Sequence, residues 1–384
     1  MNHPPKIRVA VLYGGRSGEH EVSLLSATNV IQYLDRSRFE VVPIGIDKEG
    51  AWFLGEDVFQ KELTEQTPLR LSRDVQRELF NPDLIGKQLA DIKPAQLLPQ
   101  LKNTGRLFDV VFPVIHGVLC EDGTVQGLLE LTDIPYVGCG VLSSAVGMEK
   151  DVSKRLAKAA GINVAPYVVI KGHQWDRQPE QCCSFIAEKL QLPVFVKPVN
   201  TGSSVGVEKV KRIEELPAAI NAAFRYDTKV IIEQGIDAIE LEVAVLEAEN
   251  YGADPIVSVV GEIRPRHEFY SYAAKYLDEH GAELLIPAQV PVDVREHARE
   301  VAQTIFNVLE CEGMARVDLF LERHTQQIYF NEINTIPGFT RISMYPKLME
   351  ASGISYSELL TRLIMLAMER HARKVKLSRE FVSS

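Results

Sequence analysis

The chain reads as an α/β protein of three units: an N-terminal doubly wound parallel sheet, a central α+β unit and a C-terminal mixed-sheet unit. Three observations predict this. A strand–helix–strand run opens the chain; short β-branched strands alternate with helical stretches between residues 166 and 233; long apolar strands and a carboxylate-bearing hairpin follow.

Lys6 to Tyr13 is an apolar, β-branched strand, Ser23 to Leu34 an amphipathic helix capped by Ser23, and Phe39 to Ile46 a second strand. Residues 56 to 106 are polar and mixed in period, carry Pro68, Pro82, Pro94 and Pro99, and read as a helical excursion. Asp109 to Ile115 is a buried strand opening at His116-Gly117 into a loop, and Thr124 to Leu131 starts a helix. The loops at 14–22 and 116–123 both leave carboxyl ends of strands, where open α/β sheets bind ligands. Near Met148 a second unit begins with a helix from Asp151 to Ala160, stopped by Gly161. Strands near Pro166–Ile170, Val194–Lys197, Val207–Val210 and Lys229–Glu233 alternate with helices near 180–190 and 213–224. The third unit has long strands, a helix from Val294 to Leu309, and a last helix opened by a capping box, Ser355 to Glu358. Its stripe of Leu359, Leu360, Leu363, Ile364 and Ala367 reads as core or dimer packing. The expected domains are 1–145, 146–236 and 237–375, with a tail at 376–384.

The 384 residues are 46% hydrophobic, enough for two or three cores. A net charge of −10 argues against nucleic acid or an anionic membrane surface as partner. No apolar run approaches a membrane span and no signal-peptide pattern precedes Lys6. Five cysteines without a C-x-x-C pair argue against zinc and a disulfide framework, so reduced thiols and a cytoplasmic protein are expected.

The chemistry concentrates in two places. Ala315 to Leu321 and Ile328 to Ile333 read as strands joined by a turn around Glu322 to Thr325, a hairpin that sets Asp318 beside Glu332. Glu332 and Asn334 share a face at period 2. Two carboxylates and an amide oxygen beside Arg316 make a hard, all-oxygen site of the kind Mg²⁺ on nucleotide phosphates requires. Upstream, the strand Pro193 to Pro198 ends in Lys197 and runs into Val199-Asn-Thr-Gly-Ser-Ser-Val-Gly206, whose backbone N–H groups and hydroxyls, Ser203 and Ser204 among them, suit phosphate oxygens. No Walker loop is present, and Gly14-Gly15-Arg16-Ser17-Gly18 is not a dinucleotide fingerprint, which removes an NAD-dependent oxidoreductase.

These motifs resemble the D-alanine–D-alanine ligases of the ATP-grasp superfamily, from about Lys6 to Arg370. The matching runs are Tyr13-Gly-Gly-Arg-Ser-Gly-Glu-His-Glu-Val-Ser-Leu24, His116-Gly-Val-Leu-Cys-Glu-Asp-Gly-Thr-Val-Gln-Gly127 and Lys197-Pro-Val-Asn-Thr-Gly-Ser-Ser-Val-Gly206. Tyr270-Ser-Tyr-Ala-Ala-Lys-Tyr276, Ala315-Arg-Val-Asp318 and Asn331-Glu-Ile-Asn-Thr-Ile-Pro-Gly-Phe-Thr340 complete them. The resemblance implies a three-domain ATP-grasp fold whose central unit is a lid. It implies ATP-driven joining of two D-alanines through an acyl phosphate for peptidoglycan precursor synthesis. Carboxylate and triphosphate repel, so such catalysis is mainly charge neutralisation and positioning.

By that resemblance Asp318, Glu332 and Asn334 hold two Mg²⁺ ions, or Mn²⁺, on the phosphates. Lys150, Lys197 and Lys275 are phosphate donors, with Ser204 in the loop. Glu233 and Glu240 face adenine and ribose beside the Gln234 to Ile236 strip. Glu19 takes the first D-alanine's ammonium within a triad with Ser203 and Tyr276, and His116 lies near its carboxylate. Arg316 and the Gly338 N–H serve the tetrahedral oxyanion, while Ser343 and Met344 take the second carboxylate. Residues 271 to 285 are expected to close over the acyl phosphate. A homodimer and the small molecules D-alanine and ATP are the implied partners. Cys120 stands where the family usually has glycine, and a left-handed backbone there would strain it. Tyr276 argues against D-lactate as second substrate, whereas D-serine stays open. A regulator without catalysis is the alternative from another class, and the presence of Arg316 and the metal residues speaks against it.

Overall fold

The computed structural model of this chain describes residues 5–54, 77–80, 108–265 and 282–378. The first sheet contains β1 (Ile7–Gly14), β2 (Phe39–Ile46), β3 (Trp52–Leu54), β4 (Arg77–Phe80) and β5 (Val110–Pro113), in the order β4-β3-β2-β1-β5. Strand β1 runs parallel to both β2 and β5, while β3 and β4 add an antiparallel edge. Alternate residues of β1 enter different cores. Val9, Val11 and Tyr13 pack with Leu24, Ala27, Val30 and Ile31 of α1 (His20–Tyr33), whereas Ala10 and Leu12 pack with Val125 and Leu129 of α2 (Thr124–Leu131). Burial on both faces is why β1 reads as an unbroken apolar run.

Two expectations change here. Helix α1 begins at His20, and Ser23 lies inside it rather than capping it. The fully buried Ser23 hydroxyl donates to the Val114 carbonyl and accepts from Gly14 N–H at 2.8 Å, tying the end of β1 to the chain leaving β5. Of the helical excursion expected over 56–106, only 77–80 are described, and they form strand β4.

The middle of the chain holds α3 (Val141–Met148), α4 (Lys150–Ala159), β6 (Tyr167–Lys171), α5 (Gly172–Arg177) and α6 (Pro179–Lys189). It continues with β7 (Val194–Pro198), β8 (Glu208–Val210), α7 (Leu216–Ala223) and β9 (Lys229–Gln234). The four strands form an antiparallel sheet, β6-β9-β7-β8, backed by α6 and α7 through Ile186, Leu216, Ile220, Val196 and Ile232.

The third sheet contains β10 (Ala238–Leu246), β11 (Ile256–Pro265), β12 (Ala282–Leu285), β13 (Met314–Glu322) and β14 (Ile328–Asn334), ordered β12-β11-β10-β13-β14. Its strand pairings are antiparallel, and a single parallel bridge, Val164 to Phe330, extends it. On β10, Leu241, Val243 and Val245 face α8 (Val292–Val308). Ala244 and Leu246, on the other face, pack under α9 (Met344–Ala351) and α10 (Tyr356–Lys374) in the core shared with β1 and α1. The apolar stripe of α10 is therefore core. Ser355 accepts from Glu358 N–H, but the Glu358 carboxylate pairs with Arg362, so only half of the capping box forms. Among the described residues no helix is long and apolar enough to cross a membrane.

Candidate active site

The same face of the third sheet that packs as Ala244 and Leu246 carries Glu240 and Glu242 further along β10. In register across the strands, Glu242 lies opposite Asp318, and Asp318 opposite Glu332, giving a row of three carboxylates. Arg316 lies opposite Asn334 on that face. Its guanidinium grips Asp318 in two bonds of 2.7 Å each, with Nε also 3.0 Å from Glu242. Asn334 donates to Asp318 at 3.0 Å. The register shifts between Asp318 and Leu319, leaving Asn331 as the extra residue of a bulge.

Above this sheet, an open cleft is lined by Lys150, Lys197, Ser203, Ser204, Glu233, Gln234, Ile236, Glu240 and Glu332. All nine were singled out from sequence, and they come from α4, β7, the loop after it, β9, the short connection to β10, β10 and β14. Phe195, Ala165, Val207 and Phe320 supply apolar walls. Lys150 donates to the Thr201 carbonyl at 2.6 Å and lies 3.5 Å from Glu332. Lys197 pairs with one oxygen of Glu233, and Lys154 with the other at 2.8 Å. Burial alone would push the Glu233 carboxyl up, but the two ammonium groups outweigh it and hold it at about 2. Burial pulls Lys197 down, yet the Glu233 charge dominates and leaves it raised.

The loop Asn200–Gly206 carries two consecutive serines in the left-handed region, Ser203 at φ 51° and Ser204 at φ 59°. Such strain costs about 1–3 kcal/mol per residue and is tolerated where a fixed geometry serves a site. The Ser203 hydroxyl donates to the buried carboxylate of Glu19, which joins this loop to the one after β1. Glu19 is seated from the other side by Gly117, whose φ of 81° and lack of a side chain let the chain pass against it. His116 is buried, with Nδ1 3.1 Å from the Ile336 carbonyl and 3.5 Å from Glu121, and Nε2 3.3 Å from the Ser26 hydroxyl. Burial would lower its pKa, but the Glu121 carboxylate outweighs that and raises it.

At the far end Gly338 approaches Ser343, whose hydroxyl accepts from Thr340 N–H at 3.0 Å. The Met344 side chain is in the core, so only its backbone N–H, in the first turn of α9, is left to serve a carboxylate. Lys275, Tyr276 and the expected closing segment as far as residue 281 lie outside the described residues. The condition under which Cys120 would be strained does not arise: the left-handed residue is its neighbour Leu119, at φ 68°, and Cys120 is buried in the core beside α2.

Three residues here escaped the sequence reading. Lys154 is one helical turn beyond Lys150, Glu242 two residues beyond Glu240 on the same face, and Glu121 inside the His116 loop. Periodicity from residues already singled out would have found the first two.

A metal would meet oxygen donors only: the Asp318 and Glu332 carboxylates on adjacent strands and the Asn334 amide. That donor set fits Mg²⁺ or Mn²⁺. Among the described residues no three acidic, His or Cys side chains are yet drawn together round a metal position, and Asp318 is committed to Arg316.

Residues 8–139 match the family model for the D-ala D-ala ligase N-terminus and residues 156–365 that for the D-ala D-ala ligase C-terminus. The chain is 53% identical to a D-alanine–D-alanine ligase A of Bradyrhizobium diazoefficiens, covering 98% of this chain and 99% of that one. It is 45% identical to the D-alanine–D-alanine ligase A of Escherichia coli K12, covering 96% and 97%. Among solved structures, the VanG D-Ala:D-Ser ligase of Enterococcus faecalis matches with a TM-score of 0.74 at 37% identity, over 94% of this chain and 100% of that one. The D-alanine–D-alanine ligase of Coxiella burnetii matches with the same TM-score at 32% identity, over 97% and 96%.

Proposed function

The chain belongs to the D-alanine–D-alanine ligase family, and from that premise we propose how its cleft joins two D-alanine molecules at the expense of ATP, forming D-alanyl-D-alanine for peptidoglycan. One observation carries the assignment of residues. A single cleft gathers Lys150, Lys197, Glu240 and Glu332 round a serine loop, and that loop's Ser203 holds Glu19.

ATP lies in the cleft with adenine against residues 233–236, ribose on Glu240, and phosphates on Lys150, Lys197 and the loop at Ser204. Glu19, aimed by Ser203, takes the ammonium of the first D-alanine, and His116 faces its carboxylate. That carboxylate attacks the γ-phosphorus, ADP leaves, and the resulting acyl phosphate has a good leaving group where a carboxylate had none. The amine of the second D-alanine, its own carboxylate on Ser343 and the first turn of α9, adds to the acyl carbon. Negative charge developing on the carbonyl oxygen is met by Arg316 and the Gly338 N–H. Collapse expels phosphate and leaves the peptide bond. Asp318, Glu332 and Asn334 are the residues that would hold two Mg²⁺ ions, or Mn²⁺, which when bound would supply neutralising charge to the phosphate oxygens. Lys275 and Tyr276 belong to the same proposal as a phosphate donor and the third member of the Glu19 triad. A homodimer is the proposed assembly, to be read by sedimentation velocity.

The test is phosphate release from ATP and Mg²⁺ with D-alanine, L-alanine, D-serine or D-lactate, the products being identified by mass. Release with D-alanine alone, giving its dipeptide, is the expected result. Turnover only when D-serine or D-lactate accompanies D-alanine would reassign the Ser343 end of the site. No release with any of them would overturn the reading.

A further inference from the structure

Lys154 is 1% exposed, and a lysine that deep is retained only when its charge is fully met. Its ammonium lies 2.8 Å from Glu233 Oε1, 2.7 Å from the Asn331 carbonyl and 3.4 Å from the Phe330 carbonyl. The second acceptor exists because Asn331 is the bulged residue of β14. Lys150 and Lys154, four residues apart on α4, thus point to one side of the helix with different tasks. Lys150 reaches the serine loop and Glu332, whereas Lys154 reaches the other oxygen of the carboxylate that Lys197 also holds. Lys197 is less enclosed and lines the cleft, and among the described residues no backbone acceptor comparable to those of Lys154 meets it.

We propose that Lys154 is a positioning residue: it is the permanent counter-ion of Glu233, and by neutralising that carboxylate it lets Lys197 turn from Glu233 to a nucleotide phosphate. The proposal rests on the nucleotide reading of the cleft. Before ATP arrives, Glu233 has two cations for one charge. Once Lys197 swings to the phosphate, Lys154 remains, fixed by two carbonyls of β14, and Glu233 is never left buried and unpaired. Without Lys154, Lys197 is, among the described residues, the one cation left paired with Glu233, and moving it would strand that buried charge. Lys154 touches no substrate; it acts through the freedom of Lys197.

The experiment measures affinity for a non-hydrolysable ATP analogue with Mg²⁺, and for adenosine as a competitor, in the full-length protein. Lys154→Met is expected to weaken the ATP analogue about ten- to a hundredfold while adenosine changes by less than about threefold, because only the phosphate contact is lost. In Glu233→Gln protein, where no buried carboxylate detains Lys197, adding Lys154→Met is expected to cost less than about threefold. Adenosine weakened as much as the analogue would mean that β9 has merely loosened, and would overturn the proposal. Equal losses in the two backgrounds, or none in either, would overturn it as well. If Lys154→Met fails to fold, the comparison of Glu233→Gln with the Glu233→Gln/Lys154→Met double variant, in which neither buried charge remains, decides: a loss above about tenfold on adding Lys154→Met refutes the idea. Lys197→Ala is measured alongside. Unchanged analogue affinity in that variant would overturn the nucleotide reading itself, whatever Lys154 does.

Discussion

Replacing Gly117 by alanine tests whether the Glu19 carboxylate is where the first amino acid's ammonium docks. The backbone at 117 has φ 81°, so any L side chain there is strained by about 1–2 kcal/mol. The added methyl would stand 2.7 Å from Glu19 Oε2 and 3.1 Å from Ser17 Cβ, closer than packed atoms approach. Ser17 has little room to yield, because its hydroxyl donates to the His116 carbonyl at 2.6 Å. The Glu19 carboxylate is therefore the group that moves, and it leaves the Ser203 hydroxyl as it does so. Losing one charge-assisted contact to the substrate ammonium corresponds to about 1.5–3 kcal/mol, or about ten- to a hundredfold in affinity. Steady-state kinetics on Gly117→Ala should show the KM of the first D-alanine raised by that factor, with the ATP KM within about twofold of the parent. A melting curve gives the backbone cost separately. An unchanged D-alanine KM in a folded variant, or a rise confined to the ATP KM, would refute the placement of the ammonium on Glu19.

Other expectations follow from the same geometry. Arg316→Ala should lower turnover by about 10²–10³ while raising the ATP KM far less, since its partner charge develops only in the transition state; unaltered turnover would remove the oxyanion role. Glu233 is held well below the ordinary carboxylate value of 4.5, at about 2, so its contribution to stability is complete above pH 4.5 and drains away as pH falls through 2. Urea denaturation between pH 5 and 2 should show the parent losing more stability than Glu233→Gln, and parallel curves would contradict the pairing. Cys120→Gly should destabilise by about 1–2 kcal/mol, because it removes a buried thiol from a position with ordinary backbone geometry and adds freedom to the unfolded chain. A gain in stability would show that the cysteine is strained after all.

Elements with one strong period were legible. Strand β1, helix α2 and the β13–β14 hairpin carry patterns that neighbouring structure only reinforces, and the pairing of Asp318 with Glu332 follows from the hairpin's turn. The start of α1 was not legible, because Glu19 makes no side-chain cap bond and the nearby serine is an interior bridge between two strand ends. Propensity sees a serine ahead of an apolar stripe and cannot see the Val114 carbonyl ninety-one positions away. The bulge at Asn331 was equally hidden, since it is a mismatch between two strands rather than a property of either one. With it went the carbonyl that receives Lys154. Most candidate site residues were named through motif order, and that order did not show that the Met344 side chain serves the core, leaving its backbone N–H for the role the resemblance gave it.

The core shared by β1, α1 and α10 has a consequence for how this chain is made. Helix α1 and strand β5 leave the ribosome early, and the helix that packs on both, α10, is translated more than two hundred residues later. The first βαβ unit is thus a nascent fragment with one apolar face bare during most of elongation, and bare faces of that kind recruit chaperones or aggregate. Its native burial is completed only when α10 docks. Truncation within α10 consequently strikes the opposite end of the sequence, and pulse proteolysis of stalled nascent chains should find β1, α1 and β2 cleavable until that helix has emerged.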